Sequence, residues 1–465
     1  MDHDGKKPSA LTRRVFIKQS ASAATLAPFV LHLSACASSS DAKDSVRDSG
    51  ERESAEDAAT ADASTPSTGA SDAAGSGAPD SPDAPDAQDT AAPTIGTDDG
   101  STLAAGAVLV GLYPGDGANA MKEALARLDF SWLKDGDTVL IKVASNSGNP
   151  HPATTSPTGV RAMVEALKAR GAGRVIVADQ AGVEHVRRSQ RGRFSSTRER
   201  FEANGLGALD DVADLAFFDD GDWESGYFEA TLPADHHWPR GLYLASAIKD
   251  ADHIIYMPRI SAHMLAGITT AQKSAIGWLR DDSRHDLHND AQSFYEKYAE
   301  ISYTEEIASR FRMVVTLNEQ VQLFGGPDEG TAFTMDPPLV LASTSLANHD
   351  AVATSILVGL QNSSGARSSG MAYTGPLAAT FNSLFAGGTG VATGEAGAWI
   401  SESPSSRYTN HGFETKVSNE RAVARGWQLS GETPDSIFVR VAGEVMDEAL
   451  LAELDKHGAG LYRFS

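Results

Sequence analysis

The 465-residue chain carries 62 acidic against 39 basic side chains, a formal net charge of −23 at pH 7. Acidic surfaces repel phosphate backbones, so a nucleic-acid partner is excluded. Cysteine occurs once, at Cys36, which rules out an internal disulfide, a thiolate-rich metal site, an iron–sulfur cluster and, once that thiol carries lipid, a cysteine nucleophile.

Residues 1–36 read as a targeting segment. Thr12-Arg13-Arg14-Val15-Phe16-Ile17-Lys18 sets paired arginines ahead of a large apolar residue and a lysine, and a mildly apolar stretch over 21–33 leads to Leu33-Ser34-Ala35-Cys36. About a dozen residues is too short for a helix across a bilayer, which needs about 20. The two features resemble a twin-arginine export signal and a lipoprotein processing site. That resemblance implies passage through the twin-arginine translocase in a folded state, lipidation of Cys36 and membrane attachment through that lipid. Ala37 and Ser38 stand where an aspartate would favour the inner membrane. The expected location is therefore the periplasmic side of the outer membrane in a Gram-negative cell, or otherwise the cell surface.

Residues 37–102 are Ala, Ser, Asp, Pro, Gly and Thr with almost no large apolar side chains. Such a segment cannot bury enough surface to offset chain entropy and is expected to be a disordered acidic tether. Its root-mean-square reach is roughly 45 Å by the scaling for flexible linkers. The acidic excess persists beyond it, so the remaining domain, residues 103–465, is acidic as well.

That domain reads as alternating strands and helices. Residues 138–144 are a short, nearly continuous apolar run, the pattern of a strand buried on both faces. Ser156-Pro157 supplies an N-cap and a proline at the first helical position, Val160, Met163, Val164 and Leu167 follow at helical spacing, and Gly171 marks the stop. Residues 174–179 form the next strand, closing a βαβ unit that should cross over right-handed into a parallel sheet. The theme recurs with strands at 253–257, 313–316 and 339–342 and helices near 270–279 and 350–360. The pattern predicts an α/β fold, a mostly parallel sheet covered by helices on both faces, preceded by the signal and the tether.

In such sheets ligands sit beyond the carboxyl ends of the strands, and there the polar residues gather. Lys142, Asn146 and Thr155 lie at or after the first strand and Asp179 ends the second. The densest stretch follows the third: Arg259, His263, Thr269, Thr270 and Lys273, a basic, hydroxyl-rich loop running into a helix start. Helix N-termini with nearby cations hold anions. His263 can give or take a proton near neutral pH. Asp350 reads as an N-cap that also faces the strand ends.

These stretches carry a family resemblance. Val-Leu-Ile-Lys142, Thr154-Thr155-x-Pro157, Val-Ala-Asp179, Met-Pro258-x-x-x-x-His263, Thr-x-x-x-Lys273-x-x-x-Gly277, Leu287-His288, Gly325-Gly326-Pro327-x-x-Gly330 and His349-Asp350-Ala-Val-Ala353 occur in order over about residues 109–359. This order resembles the bacterial and archaeal family known as domain of unknown function 362. The resemblance implies an α/β domain, with a ferredoxin-like iron–sulfur module in some members, which a chain whose lone cysteine is Cys36 cannot carry. Arg259 and Ser261 stand where the family usually has lysines, and Ser274 where it has asparagine. Arginine still holds a carboxylate or phosphate. Serine replaces no cation.

His285 and His288, with Asp286 and Asp290, bring imidazoles and carboxylates close enough for one divalent cation such as zinc, manganese or iron. The polarity around them suits a solvated loop better than a metal site. Gly325-Gly-Pro-Asp-Glu-Gly330 is a turn rather than a phosphate loop, because no Lys-Ser/Thr follows. Two readings of function stay open. One is an enzyme acting on an anionic small molecule, with His263, Lys273 and Asp350 as catalytic residues and Lys142, Asn146, Thr155, Asp179, Arg259, Thr269 and Thr270 as ligand contacts. The other is an envelope-tethered, non-catalytic binding protein for an anionic ligand or a divalent metal. No cofactor is identified by the sequence.

Overall fold

The apolar run after Asp137 becomes strand β3 (Thr138–Val143) in the computed structural model, with β1 (Thr94–Thr97), β2 (Val108–Leu112) and helix α1 (Gly117–Leu125) before it. The structure describes residues 94–182, and most of 185–363 and 415–452 apart from short gaps at 187, 190–191, 194, 264–265, 289, 291–292, 329, 434–436, 445 and 447–449. All of these fall in one compact unit. The export signal, Cys36 and the tether up to residue 93 lie outside the described residues.

Helix α2 (Pro157–Lys168) starts where its sequence signals put it, with the Ser156 hydroxyl accepting from the Gly159 N–H and Pro157 at the first turn. Gly171 follows with φ of +99°, and a Cβ there would lie 2.2 Å from Asp135 Oδ1, so only glycine fits the turn into β4 (Arg174–Asp179). Next come α3 (Thr197–Asn204), β5 (Asp214–Phe217), a small antiparallel pair β6 (Tyr227–Glu229) and β7 (Tyr243–Ala245), then β8 (His253–Met257). A two-strand flap, β9 (Ser261–His263) and β10 (Gly267–Thr269), leads into α4 (Ala271–Ser274), α5 (Asp281–His288) and α6 (Phe294–Ile301). A long hairpin, β11 (Phe311–Gly325) and β12 (Gly330–Ser343), precedes α7 (Leu346–Ser363), α8 (Thr415–Ser430) and β13 (Phe438–Gly443).

The main sheet has the order β1-β13-β2-β12-β11-β8-β3-β4-β5, with β9 and β10 attached beside the outer half of β11. Its pairs are parallel except where β12 meets β11 and β2. Both faces are buried, as the continuous apolar strands require. Val139, Ile141, Val177 and Ile255 pack with Met121, Val160 and Met163 of α1 and α2. Leu140, Ile176, Ile254 and Tyr256 face the other way, toward Trp278, Tyr295 and Tyr298. The predicted α/β sheet with helices on both faces is what forms.

Four local expectations are corrected. The sheet begins at Thr94, inside the stretch assigned to the tether: an edge strand needs backbone pairing more than large side chains, and Thr94–Thr97 pairs along β13. Asp98 adds an ion pair to Arg127 at 2.8 Å. The segments at 313–316 and 339–342 are two halves of one antiparallel hairpin, not separate parallel strands. Glu319, Gln320 and Gln322 interrupt the apolar run along β11, and Pro337-Pro338 that along β12, so only one half of each strand shows as an apolar segment. The helix expected near 270–279 is α4 followed by a 3-10 turn. The helix expected at Asp350 starts a turn earlier, where the Ser345 hydroxyl accepts from the Asn348 N–H.

Candidate functional site

The parallel strands β3, β4 and β8 end on one edge of the sheet, and β11 runs past them to carry a turn over that edge. The turn between β11 and β12 is fastened by side chains. Asp328 Oδ2 lies 2.7 Å from His185 Nε2, Asp328 Oδ1 accepts from Asn146 Nδ2 at 2.5 Å, and its carbonyl accepts from Asn149 Nδ2 at 3.0 Å. Burial would raise the Asp328 carboxyl, but His185, Asn146 and the nearby Arg259 charge hold it below its ordinary value.

Arg259 lies beneath this turn, 1% exposed. One terminal nitrogen donates to the Pro327 carbonyl at 3.0 Å and the other lies 3.5 Å from the Ala144 carbonyl. Nε has no hydrogen-bond partner, and among the described residues no carboxylate comes within ion-pair distance. Burial pushes the guanidinium down to about 10, against the pull of Asp328 and Asp179. It stays charged at neutral pH.

His263 is 6% exposed on the same side. Its Nδ1 accepts the Ala266 N–H at 3.2 Å, which assigns the proton to Nε2. Burial first, then the charges of Lys273 and Arg259 and the His288 ring, hold its pKa well below the usual value. His288 donates from Nδ1 to the Arg284 carbonyl at 2.7 Å, and burial, with Lys273, His285 and Arg284 adding to it, pushes its pKa down to about 3. Half-buried Lys273 thus acts on two neutral imidazoles.

The structure therefore gathers Arg259, His263 and Lys273, with Asn146 bound to the turn above and Thr269 at the end of β10. Other sequence-predicted residues sit elsewhere. Lys142 and Asp179 meet each other at 2.6 Å, and the Lys142 ammonium also donates to the Val143 and Ser274 carbonyls at 2.8 and 3.0 Å. Its three donors are thereby taken within the fold. Thr155 accepts the Ala144 N–H and donates to the Met257 carbonyl, tying β3 to β8. Asp350 is an N-cap, but of α4 rather than of its own helix: its oxygens accept the Ala271 and Gln272 N–H groups at 2.9 and 3.0 Å. Thr270 lies 3.3 Å from His349 Nδ1, whose other nitrogen contacts Thr316 at 2.9 Å.

His285 and His288 lie on α5, not on a solvated loop. The neighbouring acids are committed to cations: Asp286 to Arg240 and Lys297, Asp290 to Lys297 at 2.8 Å. Among the described residues no group of three or more His, Cys, Asp or Glu could hold a metal. A surface cleft of about 330 Å³ lined by Arg198, Phe201, Asp210 and Asp214 shares no residue with the Arg259 site.

His185, Gln322 and Asp328 were missed by the sequence reading. His185 sits in an irregular loop with no pattern around it, whereas Asp328 was within the recognised turn motif.

A comparison with curated proteins returns no match. Among solved structures the chain is similar to the lactate racemase apoprotein of Thermoanaerobacterium thermosaccharolyticum, at 12% identity and a TM-score of 0.32 over 55% of this chain and 58% of that one. It thus spans less than two thirds of that protein's length. Residues 139–355, which run from β3 into α7 and include every residue gathered around Arg259, match the model of the family described as domain of unknown function (DUF362), and the match supports that family for this part of the chain.

Proposed function

We propose that the protein holds a small anion between Arg259 and Lys273, beneath the turn that closes on Asn146 and His185, and that it does so as an exported, lipid-anchored protein. The carrying observation is the Arg259 guanidinium, buried with an open Nε and no carboxylate in contact. An unpaired buried charge costs several kcal/mol. A bound anion would offset that cost. His263 stands beside this cation pair as a neutral imidazole, its pKa depressed by burial and by the Lys273 and Arg259 charges. Since Arg259 is covered, access requires the turn carrying Asp328 to part from its latches.

Turnover is the second reading, favoured by two imidazoles held neutral beside a lysine, a setting common at catalytic sites. Attachment is supported by the Arg13-Arg14 and Cys36 signals and is tested by Cys36→Ser, which should release the protein from membranes. For the site, Lys273→Ala is compared with wild type in thermal melts with phosphate and small carboxylates. The substitution should weaken anion binding by about 1.5–3 kcal/mol, the range for a hydrogen bond to a charged group, with little effect on folding. Loss of unliganded stability with an unchanged anion response would contradict the site.

A further inference from the structure

Besides Arg259 Nε, two other buried polar atoms near the turn have no hydrogen-bond partner among the described residues: Thr269 Oγ1 and Gln322 Nε2. Both belong to the patch β10-β9-β11, where Ser261 is the register partner of Thr269 on one side and of Gln322 on the other. Register partners share a face of the sheet. Behind them Ile260, Ala262, Ile268, Val321 and Leu323 fill an apolar cluster. Thr269, Ser261 and Gln322 therefore form a polar row about 10 Å long, two strand spacings. The Ser261 hydroxyl is engaged on the Ala262 carbonyl. The Gln322 amide nitrogen lies against Gly326 and Gly330, beside the same turn that receives Arg259.

Buried donors left unmade are rare in folded chains, and each asks for a partner. One tetrahedral ion is far smaller than this row.

We infer that the ligand is a small organic acid bearing uncharged oxygen substituents, its acid group on Arg259 and Lys273 and its hydroxyl or carbonyl oxygens on Gln322 and Thr269. This rests on the anion site proposed above and adds its ligand class.

The test is calorimetric titration of the full chain with propionate, with glycerate, which is propionate plus two hydroxyls, and with inorganic phosphate. Glycerate should bind at least about 10-fold more tightly than propionate, each neutral hydrogen bond contributing a factor of several. Phosphate should bind more weakly than glycerate. Gln322→Leu and Thr269→Val should reduce glycerate toward the propionate level and leave propionate unchanged. Thr269→Val nearly preserves side-chain shape, so it carries the comparison if Gln322→Leu does not fold. Equal binding of propionate and glycerate, or phosphate above glycerate, overturns the ligand class and leaves the anion site standing. No binding of any of the three overturns both.

Discussion

The Lys142 ammonium lies 2.6 Å from the Asp179 carboxylate, with side-chain exposures of 0% and 4%, under the backbone of Gly277. Asp179 Oδ2 also accepts the Ser145 N–H at 2.6 Å, so the pair joins the ends of β3 and β4 to Ser274, the last residue of α4. Removing one partner strands the other charge. Lys142→Met should therefore cost about 3–5 kcal/mol in denaturant unfolding, and Lys142→Met with Asp179→Leu should recover much of it. Gly277→Ala should also destabilise, since its Cβ would fall 2.0 Å from Asp179 Oδ1. A Lys142→Met protein with wild-type stability and lost anion binding would place Lys142 in the site instead.

Acid stability should report the buried imidazoles. His288 is pushed down to about 3 and His263 well below its usual value, in both cases by burial first. In the unfolded chain a histidine titrates near 6.5, so below that pH the unfolded state binds more protons. Stability should fall as pH drops from about 6.5 toward 3, by up to about 1.4 kcal/mol per pH unit for each such histidine. His288→Asn should flatten this slope in unfolding free energies measured across that range. An unchanged slope would show that His288 is solvated.

The composition of residues 37–102 suggested a tether with no part in folding, and the structure moves its inner boundary. Deleting residues 37–90 should leave the melting temperature nearly unchanged. Deletion through Asp99 removes the β1 pairing and the Asp98–Arg127 ion pair, and should lower it by a few degrees. Equal melting of the two truncated proteins would deny β1 a stabilising role.

Strands buried on both faces announce themselves as apolar runs, which is why β3, β4 and β8 were legible nearly to the residue. The capped start of α2 was equally plain. Polar residues at strand ends were located correctly along the chain, but type and position do not reveal which of them face one another. Lys142 and Asp179 satisfy each other, Asp350 caps a helix from another part of the chain, and Arg259 remains without a carboxylate. That division depends on side-chain geometry across β9, β11 and the turn at Asp328. His185 and Gln322 joined the site only through these long-range pairings.

In the proposed site Arg259 is a buried cation whose counter-anion would be supplied by a ligand. The most direct measurement is the unfolding free energy of Arg259→Met against wild type, with and without a saturating small carboxylate. The substitution should leave the ligand-free protein as stable as wild type or more stable, because it removes an unpaired buried charge, while abolishing stabilisation by the carboxylate. A loss of about 3 kcal/mol or more without ligand, with the carboxylate response intact, would contradict the proposed site.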